Sequence, residues 1–547
     1  MKKLNLFFTL SILICANFFA LEVDKSELQN ANDTVIEFIN YTGPHKIIDS
    51  VAAIKGIGSN LGTVISKDPA GSASTGNLNK YYVVHAVDPD ETGKFDADIL
   101  FIGADATVDH ITNLRRIISA YLSSAYGYSE ADADTLSVFI TVYNAVYRGK
   151  LDTFQNKYKT VVVKNLSSAN CGLSVNYKDW PGKSEIVIPL YDVKNGGLST
   201  VDTSVISDSK VVSSMKEDDD MNVESRKEMV DIKEREADEA SEKAKEAQKT
   251  AVEEQKKAKE EKQKTEEVKK EAEEAQKTAE EKQKTAEEKQ KIAEENPQDK
   301  EAQKEAEEAK EEAEEAQAVA EEKQEELEQQ EAKQEEQEQK TEEAKEEAKE
   351  QQARADIKQN EAQSERKEIA KDQNEIQKKE AEEAKMPMEY GIVLTDETEM
   401  LSRLVKFNKE TGEVIKNSPV SVIRNRTIYK AEEYYVAIAG EDVKNGAIKL
   451  VSIDPESMEI VGESDNTIAK DSVLIQDGAD YYCVVDEKGK FFIAKFGDDL
   501  SLKLKSSVEV KSCTPITLTA SGLVITDNGG KLKVLDKQNL SDISAGK

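Results

Sequence analysis

The chain has 547 residues, enough for two or three domains, and carries a formal net charge of −34 with 38% hydrophobic and 34% charged residues. A chain this acidic is repelled by nucleic-acid phosphates, and three histidines leave little raw material for a zinc site. Residues 221–385 hold 56 Asp and Glu against 35 Lys and Arg, with no aromatic residue, glycine or cysteine and one proline, so ordinary cores belong to the two flanks.

Lys2 and Lys3 precede an apolar run from Leu4 to Ala20. This is the pattern of a secretory signal peptide over residues 1–20, cleaved after Ala20. The run is too short for a permanent span, which needs about 20 apolar residues. Lipid attachment at Cys15 is the alternative, made awkward by the bulky Ile14 before it. No later segment is apolar enough to cross a bilayer, so the expected location is the periplasm or cell envelope, without a transmembrane segment in the mature chain.

Residues 21–205 read as a mixed α+β or α/β domain. Tyr81–Val87, Asp98–Ile102 and Glu185–Leu190 are strand-like, rich in β-branched and aromatic side chains. Leu114, Ile117, Ile118, Tyr121, Leu122 and Ala125 recur at helical spacing. Leu136, Phe139, Ile140, Tyr143, Val146 and Tyr147 do the same, with Gly149 as a stop. Asp88, Asp90, Thr92 and Asp96 stand where positions one, three, five and nine of a calcium loop would supply oxygens, with Gly93 at the turn. Position twelve is Ile99 instead of the usual glutamate, and Pro89 suits a plain acidic hairpin. Gly56-Ile57-Gly58 could cradle an anion, but no P-loop lysine follows, and a turn is the simpler expectation. His45, His85 and His110 lack metal-ligand spacing, and His110 suits a cap on the first long helix. No catalytic residue and no cofactor site other than the calcium candidate is predicted.

Residues 206–220 read as an acidic linker ending in Asp218-Asp219-Asp220. Residues 221–386 are then a helix argument made from residue choice, since Ala, Glu, Lys, Gln and Arg dominate. Small or apolar residues keep a seven-residue beat, through Thr265, Ala272, Ala279, Ala286 and Ala293, then Ala306, Ala313, Ala320 and Leu327, and again Ala348, Ala355, Ala362, Ile369 and Ile376. The phase changes at Asn296-Pro297, where a bend or unwound stretch is expected because proline lacks the amide donor. The readings left open are a coiled coil that self-associates weakly, a single stiff helix, and a disordered chain. A continuous helix here would extend roughly 250 Å at 1.5 Å per residue and hold two globular ends apart.

Beyond Met386-Pro387 the period becomes two. Strand-like runs over residues 387–541 are separated by turns such as Asp527-Asn528-Gly529-Gly530. Phe407, Ile453, Phe496 and Leu535 each end a strand and begin a polar turn, at spacings of 46, 43 and 39 residues. That rhythm is propeller-like, with a β-sandwich or barrel as the alternative; residues 542–547 are a tail. Cys483 and Cys513 lie in strand-like sequence of this region, either as free thiols or as a bridge.

Ile39-Asn40-Tyr41-Thr42-Gly43-Pro44, Gly56-Ile57-Gly58, Asn113-Leu114-Arg115-Arg116-Ile117, Ile140-Thr141-Val142-Tyr143-Asn144-Ala145-Val146-Tyr147-Arg148-Gly149 and Trp180-Pro181-Gly182-Lys183 resemble the spirochaete P83/100 antigen family. The resemblance implies an exported, antigenic envelope protein with a variable charged middle, and carries no catalytic residue or ligand with it. The leading expectation is therefore a structural or interaction protein whose partners are other envelope proteins. An enzyme or a small-ligand or calcium-binding module in the N-terminal domain is the alternative.

Overall fold

The computed structural model describes residues 35–46, 48–191, 193, 197–215, 220–443 and 446–544. The signal-peptide reading and the Cys15 alternative lie outside the described residues.

The N-terminal unit begins with helix α1 (Val51–Ile65), followed by strands β1 (Ala73–Asn77), β2 (Tyr81–Ala86) and β3 (Asp96–Ile102). Helices α2 (Ile111–Tyr126), α3 (Glu130–Val146), α4 (Leu151–Lys157) and α5 (Thr160–Val163) precede β4 (Ser184–Leu190). The sheet is an antiparallel meander in the order β1-β2-β3-β4, which makes the unit α+β. Its core holds the fully buried rings of Tyr121, Phe139, Tyr143, Phe154, Tyr158 and Trp180.

Gly56 and Gly58 do not form the expected turn. Both lie inside α1, and a Cβ at Gly58 would come 2.0 Å from the Ile117 carbonyl oxygen, one at Gly62 2.6 Å from that of Tyr121. Gly58 and Gly62 let α1 lie directly on the backbone of α2, a packing role that outweighs their low helix propensity, whereas a Cβ at Gly56 would meet nothing. Residues 206–215 are likewise not a hinge. Helices α6 (Thr203–Ile206) and α7 (Ser209–Ser213) occupy this stretch, and Val211, Val212 and Met215 are buried in the N-terminal core. Three apolar side chains among serines were enough to dock it.

Helices α8 (Asp220–Glu295) and α9 (Lys300–Glu383) form an antiparallel hairpin. The break falls at Asn296–Asp299, but it is a full reversal and not a bend, a short-loop helical hairpin. Asp299 caps α9, accepting from the amides of Glu301 at 3.0 Å and Ala302 at 3.3 Å. One register runs the length of the hairpin. Near the tip Lys289 meets Glu305 at 3.6 Å, midway Lys323 meets Glu271 at 2.8 Å, and near the root Lys233 meets Glu361 at 2.8 Å. Between them the expected heptad residues are buried, among them Ala272, Ala279 and Ala286 on α8 and Ala306, Ala313 and Ala320 on α9. The seam expected to recruit a second chain is filled by the chain's own second half, so the roughly 250 Å spacer does not exist. Net charge opposes this pairing, since α8 carries 25 acidic and 19 basic residues and α9 carries 31 and 15; the buried seam and individual cross-helix pairs such as Lys282–Glu312 and Lys289–Glu305 offset the repulsion.

The C-terminal unit is all β. A first sheet takes β5 (Met388–Asp396), β6 (Leu401–Asn408), β7 (Val414–Asn417), β8 (Ile423–Lys430), β9 (Tyr435–Ala439), β10 (Lys449–Ile453) and β11 (Ile460–Glu463). A second takes β12 (Ile475–Asp477), β13 (Asp480–Glu487), β14 (Lys490–Phe496) and β15 (Leu502–Val510). A third takes β16 (Thr517–Thr519), β17 (Gly522–Thr526) and β18 (Leu532–Leu535). The sheets stack through alternate faces of single strands. On β13, Tyr481, Cys483 and Val485 pack with Val436 and Leu450 of the first sheet, while Tyr482 and Val484 pack with Leu523 and Ile525 of the third.

The propeller expectation needs correction, because no strand pairing among the described residues joins the third sheet to the first. The reason is visible at β6 and β8, where Leu401 pairs with Arg424 and Ser402 with Ile423. Two sequence repeats are thereby fused into one sheet, leaving three sheets where a ring would need at least four. The repeat itself is a turn of fixed shape. Gly412, Met458, Leu500 and Leu540 all adopt positive φ, between 55° and 74°. Met458, Leu500 and Leu540 are buried; burying such a side chain contributes about 1.5–3 kcal/mol, which exceeds or matches the cost of about 1–2 kcal/mol for the left-handed backbone. The tail is docked as far as Ser544, with the Ile543 amide donating to the Val534 carbonyl at 2.9 Å.

Candidate functional site

Two histidine–carboxylate pairs occur in the N-terminal unit, and they differ in access. His85 on β2 and Asp98 on β3 face each other across the strand register, and both side chains are fully buried. His85 Nδ1 lies 2.6 Å from Asp98 Oδ1 and Nε2 lies 2.9 Å from the Pro69 carbonyl. Tyr121 and Tyr126 of α2 donate to Asp98 Oδ2 at 2.7 and 2.5 Å. A carbonyl oxygen can only accept, so Nε2 carries a proton. Both phenols donate to Asp98 Oδ2, so Oδ1 is left to share one proton with Nδ1. The result is a fully satisfied, buried histidine–aspartate pair. Burial opposes the charge on His85, but the field and hydrogen bond of Asp98, with the Pro69 carbonyl, outweigh it and raise its pKa. Burial, then the Asp98 charge, lifts both tyrosine hydroxyls well above their ordinary range. With no exposed atom to meet a substrate, the cluster fastens β2, β3 and α2 together.

His45 and Asp109 form the second pair, Nε2 to Oδ2 at 2.8 Å, with about a quarter of each side chain exposed. They stand on the rim of a cleft of about 270 Å³, with Asp49 and Lys80 beside them and Ile54 and Ile117 in its floor. This is the accessible concave site of the N-terminal unit that joins apolar surface to a histidine and a carboxylate. His110 is the cap of α2, its Nδ1 accepting from the Thr112 amide at 3.2 Å, and burial lowers its pKa.

The calcium-candidate residues lie between β2 and β3. Asp88 accepts from the Asp90 amide at 3.0 Å, and Asp96 accepts from the Asp88 amide at 2.9 Å. The Lys159 ammonium donates to the Asp88 carbonyl and, at 2.8 Å, to Asp96. It thus sits among the oxygens that a cation would use. Among the described residues no group of three His, Cys, Asp or Glu side chains comes together as a metal-ligand set. Cys171, Cys483 and Cys513 are free thiols, so the strand-region bridge is absent; Cys483 is buried in the sheet stack and Cys513 is exposed.

A third polar cluster, invisible in the sequence, roots the hairpin. Arg226 is 1% exposed and bonds Glu365 at 2.6 Å and Asp372 at 2.7 Å. Lys358, equally enclosed, donates to Thr203 at 2.5 Å and Ser204 at 2.8 Å and pairs with Glu236 at 3.0 Å. These contacts tie both helices to α6. The sequence signal at Arg226 is its place among Val223, Met229, Val230 and Ile232, the most apolar stretch of α8; Lys358 has none of that kind.

The family model described as Borrelia P83/100 protein matches residues 25–516, most of the chain. The chain belongs to the Borrelia P83/100 family. Membership fits a Borrelia antigen and is consistent with an envelope location; among the described residues no helix is long and apolar enough to cross a membrane. No curated protein matches the chain. The segments that resemble P83/100 proteins prove to be fasteners. Asn144 bonds both the amide and the carbonyl of Val187, each at 2.8 Å, and joins α3 to β4. Arg148 donates to the Gly172 carbonyl at 3.0 Å, and Trp180 to that of Ser174 at 2.7 Å.

Proposed function

We propose that this P83/100 protein is exported to the envelope and acts by contact and not by catalysis, presenting a long acidic hairpin to other envelope proteins. The hairpin carries this reading. From about Ala247 to Glu347 the ion pairs of both helices run within the hairpin, as at Lys289–Glu305 and Lys323–Glu271. At 1.5 Å per residue, those roughly 50 residues per helix project about 75 Å. A convex rod of this kind offers no enclosed apolar space for a small substrate, but a long surface for a protein partner. Fractionation with sequencing of the mature N-terminus tests the location, and recovery in the cytoplasm with an intact N-terminus refutes it. A photo-crosslinker at Val319, half-exposed on α9, should yield adducts with envelope proteins in intact cells; no adduct above a control placed in the core counts against the contact role.

The His45–Asp109 cleft supports a second reading, a small-ligand site in the N-terminal unit, and calcium at Asp88, Asp90, Thr92 and Asp96 belongs with it. Calcium would have to displace the Lys159 ammonium. Calorimetry on the full chain with millimolar calcium decides: heat that disappears in Asp96→Asn supports the site, and no heat ends it.

A further inference from the structure

We propose that Tyr41–Lys46, part of the segment by which the chain resembles its family, is an intramolecular clasp. It docks the C-terminal sheet stack on the N-terminal unit, so that both ends of the chain form one base for the hairpin.

The segment is first fixed to its own unit. The Tyr41 amide donates to the Asp109 carbonyl at 2.8 Å, Asn40 accepts from the Ile111 amide at 2.7 Å, and His45 holds Asp109. The Tyr41 hydroxyl donates across the turn to the Pro44 carbonyl at 2.8 Å, and Pro44 restricts both its own φ and the backbone of Gly43. The turn is thereby shaped before it meets anything else.

Its outer side then engages residues almost 400 positions away. The Ala447 amide donates to the same Pro44 carbonyl at 2.9 Å, and His45 forms an antiparallel bridge with Gly446. Thr42 Oγ1 donates to the Pro419 carbonyl at 2.6 Å and Lys46 reaches the Val443 carbonyl at 3.4 Å; beside the segment, Lys178 of the same unit pairs with Glu441, 263 positions on, at 3.5 Å. The fit leaves no slack. A Cβ on Gly43 would lie 2.9 Å from Val422 Cγ2 and 2.8 Å from the Tyr41 hydroxyl, and one on Gly446 would lie 3.1 Å from that hydroxyl. Buried Tyr41, the backbone complementarity and Gly43, where a side chain would strike Val422, describe a built joint between distant parts of one chain. The hairpin supplies the proximity: α9 returns to the base, and β5 follows within a few residues, so closing the clasp is an intramolecular step at high effective concentration.

The test is made in the full chain with Cys15→Ser and Cys513→Ser, leaving the buried thiols of Cys171 and Cys483. Spin labels at Lys67→Cys and Glu432→Cys, one on each unit, should give a single narrow distance distribution. Gly43→Val should broaden it at least twofold while the near-ultraviolet dichroism around Trp180 persists. If Gly43→Val disturbs that dichroism, the pair Thr42→Val with Lys178→Met, which removes two contacts while keeping the glycine, the proline and the Tyr41–Pro44 bond of the turn, should still broaden the distribution. A broad distribution in the parent chain, or a narrow one surviving in the folded variants, overturns the clasp.

Discussion

The N-terminal unit and the hairpin bury their residues in opposite ways. In the N-terminal unit, stability is concentrated: large rings such as Trp180, Tyr143 and Phe139 fill one core, and a single polar cluster of His85, Asp98, Tyr121 and Tyr126 ties three elements together. In the hairpin it is spread thinly. Each alanine of the seam buries little surface, at about 0.8 kcal/mol per buried CH₂, and the step is repeated every seven residues with the charges left in water. Only at the root, where Arg226 and Lys358 are enclosed, does the hairpin acquire a concentrated site of its own. A concentrated design fails at one residue, whereas a distributed one tolerates loss anywhere along its length.

Substitutions should expose that difference. His85→Ala leaves Asp98 buried without its histidine partner, and breaking a buried pair costs about 3–5 kcal/mol; chemical denaturation followed by tryptophan fluorescence should show the loss, since Trp180 reports on that core. The pH dependence carries the same sign. His85 binds its proton more tightly folded than unfolded, where its pKa is about 6.5. Its contribution is therefore fully present below that value and is lost as pH rises through the elevated folded pKa. The stability of His85→Ala should lack that alkaline decline.

Arg226→Ala strips the cation from Glu365 and Asp372 and should cost up to about 3–5 kcal/mol by the same principle. The damage should be local, with hydrogen exchange accelerated at the root and unchanged at the tip. Asp299→Ala removes the cap of α9 and should cost about 1 kcal/mol, read as faster exchange in its first turn. Pro297→Ala should leave the maximum dimension in small-angle scattering unaltered, because the seam and not the proline holds the reversal; a longer molecule would show that the proline enforces it. At the bottom of the scale, Lys323→Ala removes exposed pairs with Glu271 and Glu326 and should not change the melting temperature measurably, as befits surface pairs. A large loss there would mean that the hairpin is held by charge and not by its seam.

Much of the local structure was legible because its signals are periodic. Leu114, Ile117, Ile118 and Tyr121 place α2, His110 caps it, and the β-branched and aromatic run over residues 81–87 places β2. Sequence also located the hairpin's break and its seam. What escaped was whatever depended on a distant neighbour. Gly56-Ile57-Gly58 reads equally well as a turn or as a helix until α2 lies against it. Val211, Val212 and Met215 read as a linker because three apolar residues carry no period. In the candidate sites, His85 and Asp98 occupy inward-facing strand positions and could have been paired from that alone, but Tyr121 and Tyr126 could not, since nothing local says which sheet α2 covers.

Residue choice alone determined the three-part layout, the helicity of the charged middle and the alternation of the C-terminal strands, because propensity and period act over a few neighbouring residues. Tertiary structure decided whether the middle would be a spacer or an arm. An alanine seam is compatible with a second chain, with solvent or with its own other half. The single antiparallel register of α8 on α9, which buries the alanines of both and is closed by the root at Arg226 and Lys358, selects the last. It likewise decided that the C-terminal repeats stay an open stack, because β6 accepts β8 as its neighbour, a pairing of two edges that no repeat spacing encodes.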